Sequence, residues 1–86
     1  MTADWAQRLL DHINTEISIS PEPVAMDTDL LLTGAVDSLG VVRITQWLED
    51  ELGFEVDPIE VTLENFQTVS RMVDFGSSKL KHPAAS

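Results

Sequence analysis

Apolar residues recur every fourth position at Trp5, Leu9, Ile13 and Ile17, with Leu10 beside them. That spacing predicts a first helix with one buried face, and Asp4 followed three residues later by Gln7 reads as a capping box at its start. Ser18, Ser20, Pro21 and Pro23 then remove helix propensity and backbone donors, which ends the helix. A second helical pattern begins at Leu39 and runs to Leu52, before Gly53. With residues placed about 100° apart, Val41, Ile44, Leu48 and Leu52 cluster on one side as the expected core stripe. Leu39, Val42, Arg43, Gln46, Glu49 and Asp50 fall on the opposite side, so two apolar side chains stand in water above an acidic lower half. Trp47 lies on the border of the stripe and is expected to pack rather than to recognise a partner.

The loop from Ser18 to Val36 is long for a compact domain, and Leu30, Leu31 and Leu32 are its expected anchors. Beyond Gly53, Asp57-Pro58-Ile59-Glu60 combines a cap, a proline at the first helical position and a glutamate at the third. This predicts a very short helix, which Val61 and Thr62 extend poorly, with Phe66 anchoring the stretch to the core. Thr68 then caps a last helix whose Val69, Met72, Val73 and Phe75 point inward, and Gly76 with Ser77 and Ser78 weakens its end. No strand pattern or internal repeat is present. The expected fold is all-α: a small four-helix bundle, three helices longer and one short, with a long loop between the first two. The domain is expected over residues 1–76, and residues 77–86 as a flexible C-terminal tail.

A chain of 86 residues supports one small core, and the absence of cysteine excludes disulfides and Cys-based zinc sites as staples. No stretch approaches the roughly eighteen apolar residues of a membrane span, and Met1-Thr2-Ala3-Asp4-Trp5 lacks a signal-peptide profile. A free-standing cytoplasmic protein is expected. The net charge of −10 argues against nucleic acid or anionic membrane as a partner and favours a basic protein. The acids are concentrated: Glu49, Asp50, Glu51, Glu55, Asp57, Glu60 and Glu64 fall between Ile44 and Ser70, where there is no Lys or Arg. A solvated face that keeps a small protein soluble explains such charge equally well.

Candidate chemistry lies in Gly34-Ala35-Val36-Asp37-Ser38-Leu39-Gly40, which sets a serine hydroxyl at the first turn of the second helix. Asp37 is a preferred N-cap type, and Gly34 permits a tight turn. An anionic group on Ser38 would face unpaired N–H groups and the positive end of the helix dipole, worth about 0.3–1 kcal/mol at an exposed terminus. Asp37-Ser38-Leu39, preceded by Asp29-Leu30 and Gly34 and followed by an amphipathic helix that turns acidic, resembles the attachment site of the acyl and peptidyl carrier proteins. The likeness covers roughly Asp4 to Gly76 in length and order of elements.

The resemblance implies that Ser38 takes a 4′-phosphopantetheine arm from coenzyme A, and that the arm's thiol then holds an acyl or aminoacyl group as a thioester. It implies that Asp37 helps a phosphopantetheinyl transferase organise its metal and coenzyme A. Leu39 and Val42 would contact that transferase and later enzymes, with Arg43 and Gln46 on the same face, and Glu49 and Asp50 would meet basic residues. Other implied partners are an adenylating ligase or acyltransferase that loads the thiol and a downstream synthase or tailoring enzyme, all acting on a monomer. Housekeeping fatty-acid carriers generally follow the Asp-Ser-Leu with an acid, whereas Gly40, Val41, Val42 and Arg43 stand here. Gly40, Trp47 and Glu64-Asn65-Phe66-Gln67-Thr68-Val69 look more like discrete carriers of specialised metabolism loaded by stand-alone adenylating ligases, including the D-alanyl type.

Catalytic readings fail on the residues present. A nucleophile elbow needs glycine two residues before the serine, where Val36 stands, and a sheet for which the chain has no room. His12 and His82 are the only imidazoles, one expected on the polar face beside Asp11 and the other in the tail. His12 with Glu16 lacks further metal ligands, and Asp27-Thr28-Asp29 departs from a calcium loop at Leu31 and Leu32. No metal site is expected, and Ser38 must be modified by another enzyme. The competing reading is an unmodified acidic helical adaptor, which explains helices and charge but not the coincidence of Asp-Ser-Leu, Gly34 and the exposed apolar pair.

Overall fold

The computed structural model describes residues 4–81, and all regular structure among them is helical. Helix α1 (Asp4–His12) continues into a π-helical turn at Ile13–Ile17. Helix α2 (Ser38–Leu52) is followed by a 3₁₀ turn at Pro58–Glu60, the short α3 (Leu63–Phe66) and α4 (Val69–Lys81). The result is the expected small bundle, with α1 lying on α4 and the π-helical turn meeting α2.

Trp5, Leu9, Ile13 and Ile17 are all buried. A four-residue step on a 3.6-residue helix overshoots one turn by about 40°, so a strict period of four drifts around an α-helix. The π-helical turn, closed by the Ser18 N–H on the Ile13 carbonyl at 2.7 Å, winds more slowly and returns Ile17 to the stripe. The capping box expected at the start does not form: Asp4 is already helical, and Gln7 Nε2 instead donates to Asp11 Oδ1 one turn on. His12 is half-buried and stacks on Trp47, with ring centres 5.8 Å apart, which accounts for both residues as packing groups.

The long loop contributes Val24, Leu30, Ala35 and Val36 to the core, beside Ile44 and Leu48 of α2 and Phe66, Val69 and Met72. Its anchors differ in part from expectation. Leu30 is fully buried and Leu31 packs against the core, but Leu32 is 72% exposed because the chain turns outward there. Asn14 clamps the loop's first half, donating to the Val24 carbonyl at 3.1 Å and accepting the Val24 N–H at 2.8 Å. The turn at Gly34 has φ 78°, the left-handed conformation that glycine adopts without strain.

Gly53 ends α2 in the same conformation, as expected. The cap at Asp57 forms, with Glu60 Oε1 accepting the Asp57 N–H at 2.9 Å. Thr62 and Thr68 cap α3 and α4, accepting the N–H groups of Asn65 and Arg71. Gly76 does not weaken the last helix, because it is buried against Trp5, and α4 continues to Lys81. Residues 77–81 are therefore helical, while 82–86 of the expected tail, including His82, lie outside the described residues.

Candidate functional site

The site begins at the first turn of α2. Asp37 is extended, and its Oδ1 accepts the Gly40 N–H at 2.8 Å, while the Val41 N–H reaches the Asp37 carbonyl at 3.0 Å. Ser38 is the first helical residue and is exposed. The cap leaves the Ser38 and Leu39 amides without intrahelical acceptors at the positive end of a fifteen-residue helix. Gly40 is buried beneath them. A Cβ there would lie 2.7 Å from Val36 Cγ1 and 3.0 Å from Ile17 Cγ2, so the glycine lets α2 start hard against the end of the first helix. The close approach at Gly40 is not legible in the sequence, where this glycine stands only as a likeness to a subfamily.

Leu39 is 68% and Val42 50% exposed, and Arg43 and Gln46 face solvent with them. Arg43 is also used within the fold, its Nη1 donating to the Glu16 carbonyl at the end of the π-helical turn at 2.9 Å. Ile59, Val61 and Leu63 extend the exposed apolar surface on the segment leading into α3. Between that segment and α2, a recess of about 330 Å³ has Ser38 on its rim and Leu31, Val41, Val42, Val61 and Leu63 along its walls. The Ile59, Val61 and Leu63 side is an addition to the site expected from the sequence. The available signal was three apolar residues at alternate positions between two caps, too short for a helix to bury them all.

The acids do not act as one surface. Glu49 is half-buried, and its Oε2 accepts the Val56 N–H at 2.8 Å, which holds the chain after α2 against that helix. Glu51 pairs with Arg8 of α1. Glu60 pairs with Lys79 of α4 at 2.9 Å, and the Lys79 ammonium also lies over the rings of Phe54 and Phe75. The Lys79 hydrogen bond, helped by the Asp57 N–H, holds the Glu60 carboxyl below the usual carboxylate range. Asp50 alone of the two acids expected at the partner face projects from α2 as an exposed charge. In the loop, Asp29 Oδ2 accepts Gln67 Nε2 at 2.7 Å and Oδ1 accepts the Leu32 N–H at 2.8 Å, and these bonds, Gln67 first, lower its pKa.

The phosphopantetheine attachment site family matches this chain over residues 7–75, most of its length. The chain belongs to that family. No curated protein matches it. Members carry a covalently attached 4′-phosphopantetheine, so this carrier interacts with a modifying transferase and with partner enzymes. The residues around the α2 terminus fit the group: an exposed hydroxyl is available for a phosphodiester, two unpaired amides and the helix dipole favour its negative charge, and an apolar recess adjoins it. The attached arm supplies a thiol that holds cargo as a thioester. Among the described residues, no group of His, Asp and Glu could hold a metal, and no helix is long and apolar enough to cross a membrane.

Proposed function

We propose that Ser38 is the attachment point of the 4′-phosphopantetheine and that the protein is a carrier in specialised metabolism, presenting an acyl or aminoacyl thioester to partner enzymes. The observation that supports this most is Ser38 itself: an exposed hydroxyl at the first residue of α2, behind the Asp37 cap, in a chain matched to the attachment family. In this reading Asp37 holds the helix start rigid, Ser38 Oγ accepts the arm, and Leu39, Val42 and Gln46 form the docking face. Asp50 adds long-range attraction for basic partners, chiefly raising the association rate. The chain performs no catalysis: Ser38 is modified, and the cargo loaded, by other enzymes. The specialised subtype is supported by Gly40, Val41, Val42 and Arg43, which give the upper half of α2 an apolar and basic character where fatty-acid carriers have acids.

Incubation with coenzyme A and a broad-specificity phosphopantetheinyl transferase, followed by intact mass, tests the assignment. The parent gains one phosphopantetheine mass, and Ser38→Ala gains none while its thermal melt stays within about 0.5 kcal/mol of the parent, as expected for an exposed side chain. Modification of Ser38→Ala at another serine would end the assignment. The subtype is tested by offering the modified protein to a malonyl-transferring enzyme of fatty-acid synthesis and to stand-alone adenylating ligases. Loading by the first and by none of the second would refute it.

A further inference from the structure

The loop that leads to Ser38 has no regular structure, yet its hydrogen bonds close it into a unit. Asp29 Oδ1 accepts the Leu32 N–H, the Asp29 carbonyl accepts the Thr33 hydroxyl, and the Val36 N–H returns to the Leu30 carbonyl at 3.0 Å. Just before this unit, the Ser70 N–H of α4 donates to the Met26 carbonyl at 2.9 Å, and the unit itself is tied to the junction between α3 and α4 at two points on Gln67. Gln67 Nε2 donates to Asp29 Oδ2 at 2.7 Å, and the Gln67 carbonyl accepts the Leu30 N–H at 2.8 Å. The unit presents Leu31 to the recess beside Ser38 and Leu32 to solvent. Phe66, the neighbour of Gln67, lies at the base of the same recess.

We propose that Asp29 and Gln67 are a positioning pair for the attachment reaction, fixing the loop so that a transferase meets Leu32, Ser38 and Leu39 as one preformed surface. The proposal rests on Ser38 being the attachment point. Neither side chain fills the core, since both are only half-buried. Cutting their bond exposes groups that water can satisfy, so the fold loses little. What is lost is the one side-chain tie among the three hydrogen bonds between the loop and the α3–α4 junction, and with it the register of Leu31 and Leu32 against Ser38. The hydrogen bonds also favour the ionised form of Asp29, consistent with a carboxylate accepting from both sides.

The test compares the parent with Asp29→Ala, Gln67→Ala, their double variant and Asp29→Asn. Each is converted by a broad-specificity transferase with coenzyme A at a temperature where its melt shows it folded. Asp29→Ala and Gln67→Ala should each lower kcat/KM about tenfold, mainly by raising KM, as expected when a loop that was preformed must be ordered on binding. The double variant should be no slower than Asp29→Ala, which also frees the Leu32 N–H, because both substitutions cut the same Asp29–Gln67 tie. Asp29→Asn should keep nearly the parent rate, since its amide still accepts from Leu32 and a turned-over Gln67 amide can pair with it. Parent rates in folded Asp29→Ala and Gln67→Ala, losses that add in the double variant, or an Asp29→Asn as slow as Asp29→Ala would each overturn the pair. A parent that gains no mass at Ser38 would instead remove the attachment assignment and the proposal with it.

Discussion

Replacing Gly40 by alanine sets two known effects against each other at the helix that carries Ser38. Alanine is the better helix former, by about 1 kcal/mol in a helix interior. Against this, the new methyl would sit 2.7 Å from Val36 Cγ1 and 3.0 Å from Ile17 Cγ2, where carbon atoms ordinarily rest about 3.5–4.0 Å apart. Both neighbours are buried and β-branched, so neither can swing aside freely, and overpacking of this kind costs about 1–3 kcal/mol. The steric term wins, and a net loss of about 1 kcal/mol is expected. For 86 residues the entropy of unfolding is about 0.18 kcal/mol/K, so Tm should fall by about 5–6 °C. Val36→Ala removes the closest contact and leaves room for the new methyl, so the double variant should be more stable than the two single losses predict, by about 1 kcal/mol. Differential scanning calorimetry of the four proteins measures both quantities. A Gly40→Ala melting about 5 °C above the parent, or strict additivity with Val36→Ala, would refute the close approach.

Leu48→Ala should cost about 2–5 kcal/mol because Leu48 is fully buried, whereas Leu39→Ala and Val42→Ala should stay within about 0.5 kcal/mol and instead slow modification or loading. Equal melts for Leu39→Ala and Leu48→Ala would reverse the faces of α2. Asp50→Lys should raise Tm at low salt by easing repulsion while slowing association with a basic partner, both effects shrinking as salt rises. Glu49→Lys should lower Tm instead, since it removes the acceptor of the Val56 N–H; equal and positive shifts for the two variants would show that bond to be idle. Asp29 and Glu60 have lowered pKa values, so the stability they add is present above the ordinary carboxylate pKa of about 4 and is lost as pH falls through the lowered values. Urea midpoints should therefore drop below about pH 4 in the parent, and less steeply in Asp29→Asn with Glu60→Gln; identical pH slopes would refute the assignment.

Much of the fold was legible because its signals are local. The stripes of α1 and α2, the Asp37 cap, the stops at Gly53 and Pro21, and the caps at Asp57 and Thr68 each follow from a few neighbouring residues and the periodicity of a helix. The exposed pair Leu39 and Val42 was readable for the same reason. The rest was not legible, either because two local partners compete or because the partner lies far along the chain. Gln7 could have capped its own helix, but pairing one turn onward was available to it, and local sequence does not rank the two. Leu30, Leu31 and Leu32 are identical in chemistry, and only the turn that brings Leu30 to Gln67 determines which of them is buried. Glu49 and Asp50 look alike on a helical wheel, yet the chain folding back at Val56 takes one carboxylate and leaves the other in water. Gly76 reads as a helix breaker until Trp5 is packed against it. Lys79 looked like part of a solvated tail and instead closes on Glu60, Phe54 and Phe75. The helices, their buried faces and the serine at the head of α2 follow from local sequence, because capping and periodicity act within a turn or two. The surroundings of that serine do not, because the recess, the Gly40 contact and the Asp29–Gln67 tie join residues that meet only when the chain has closed on itself.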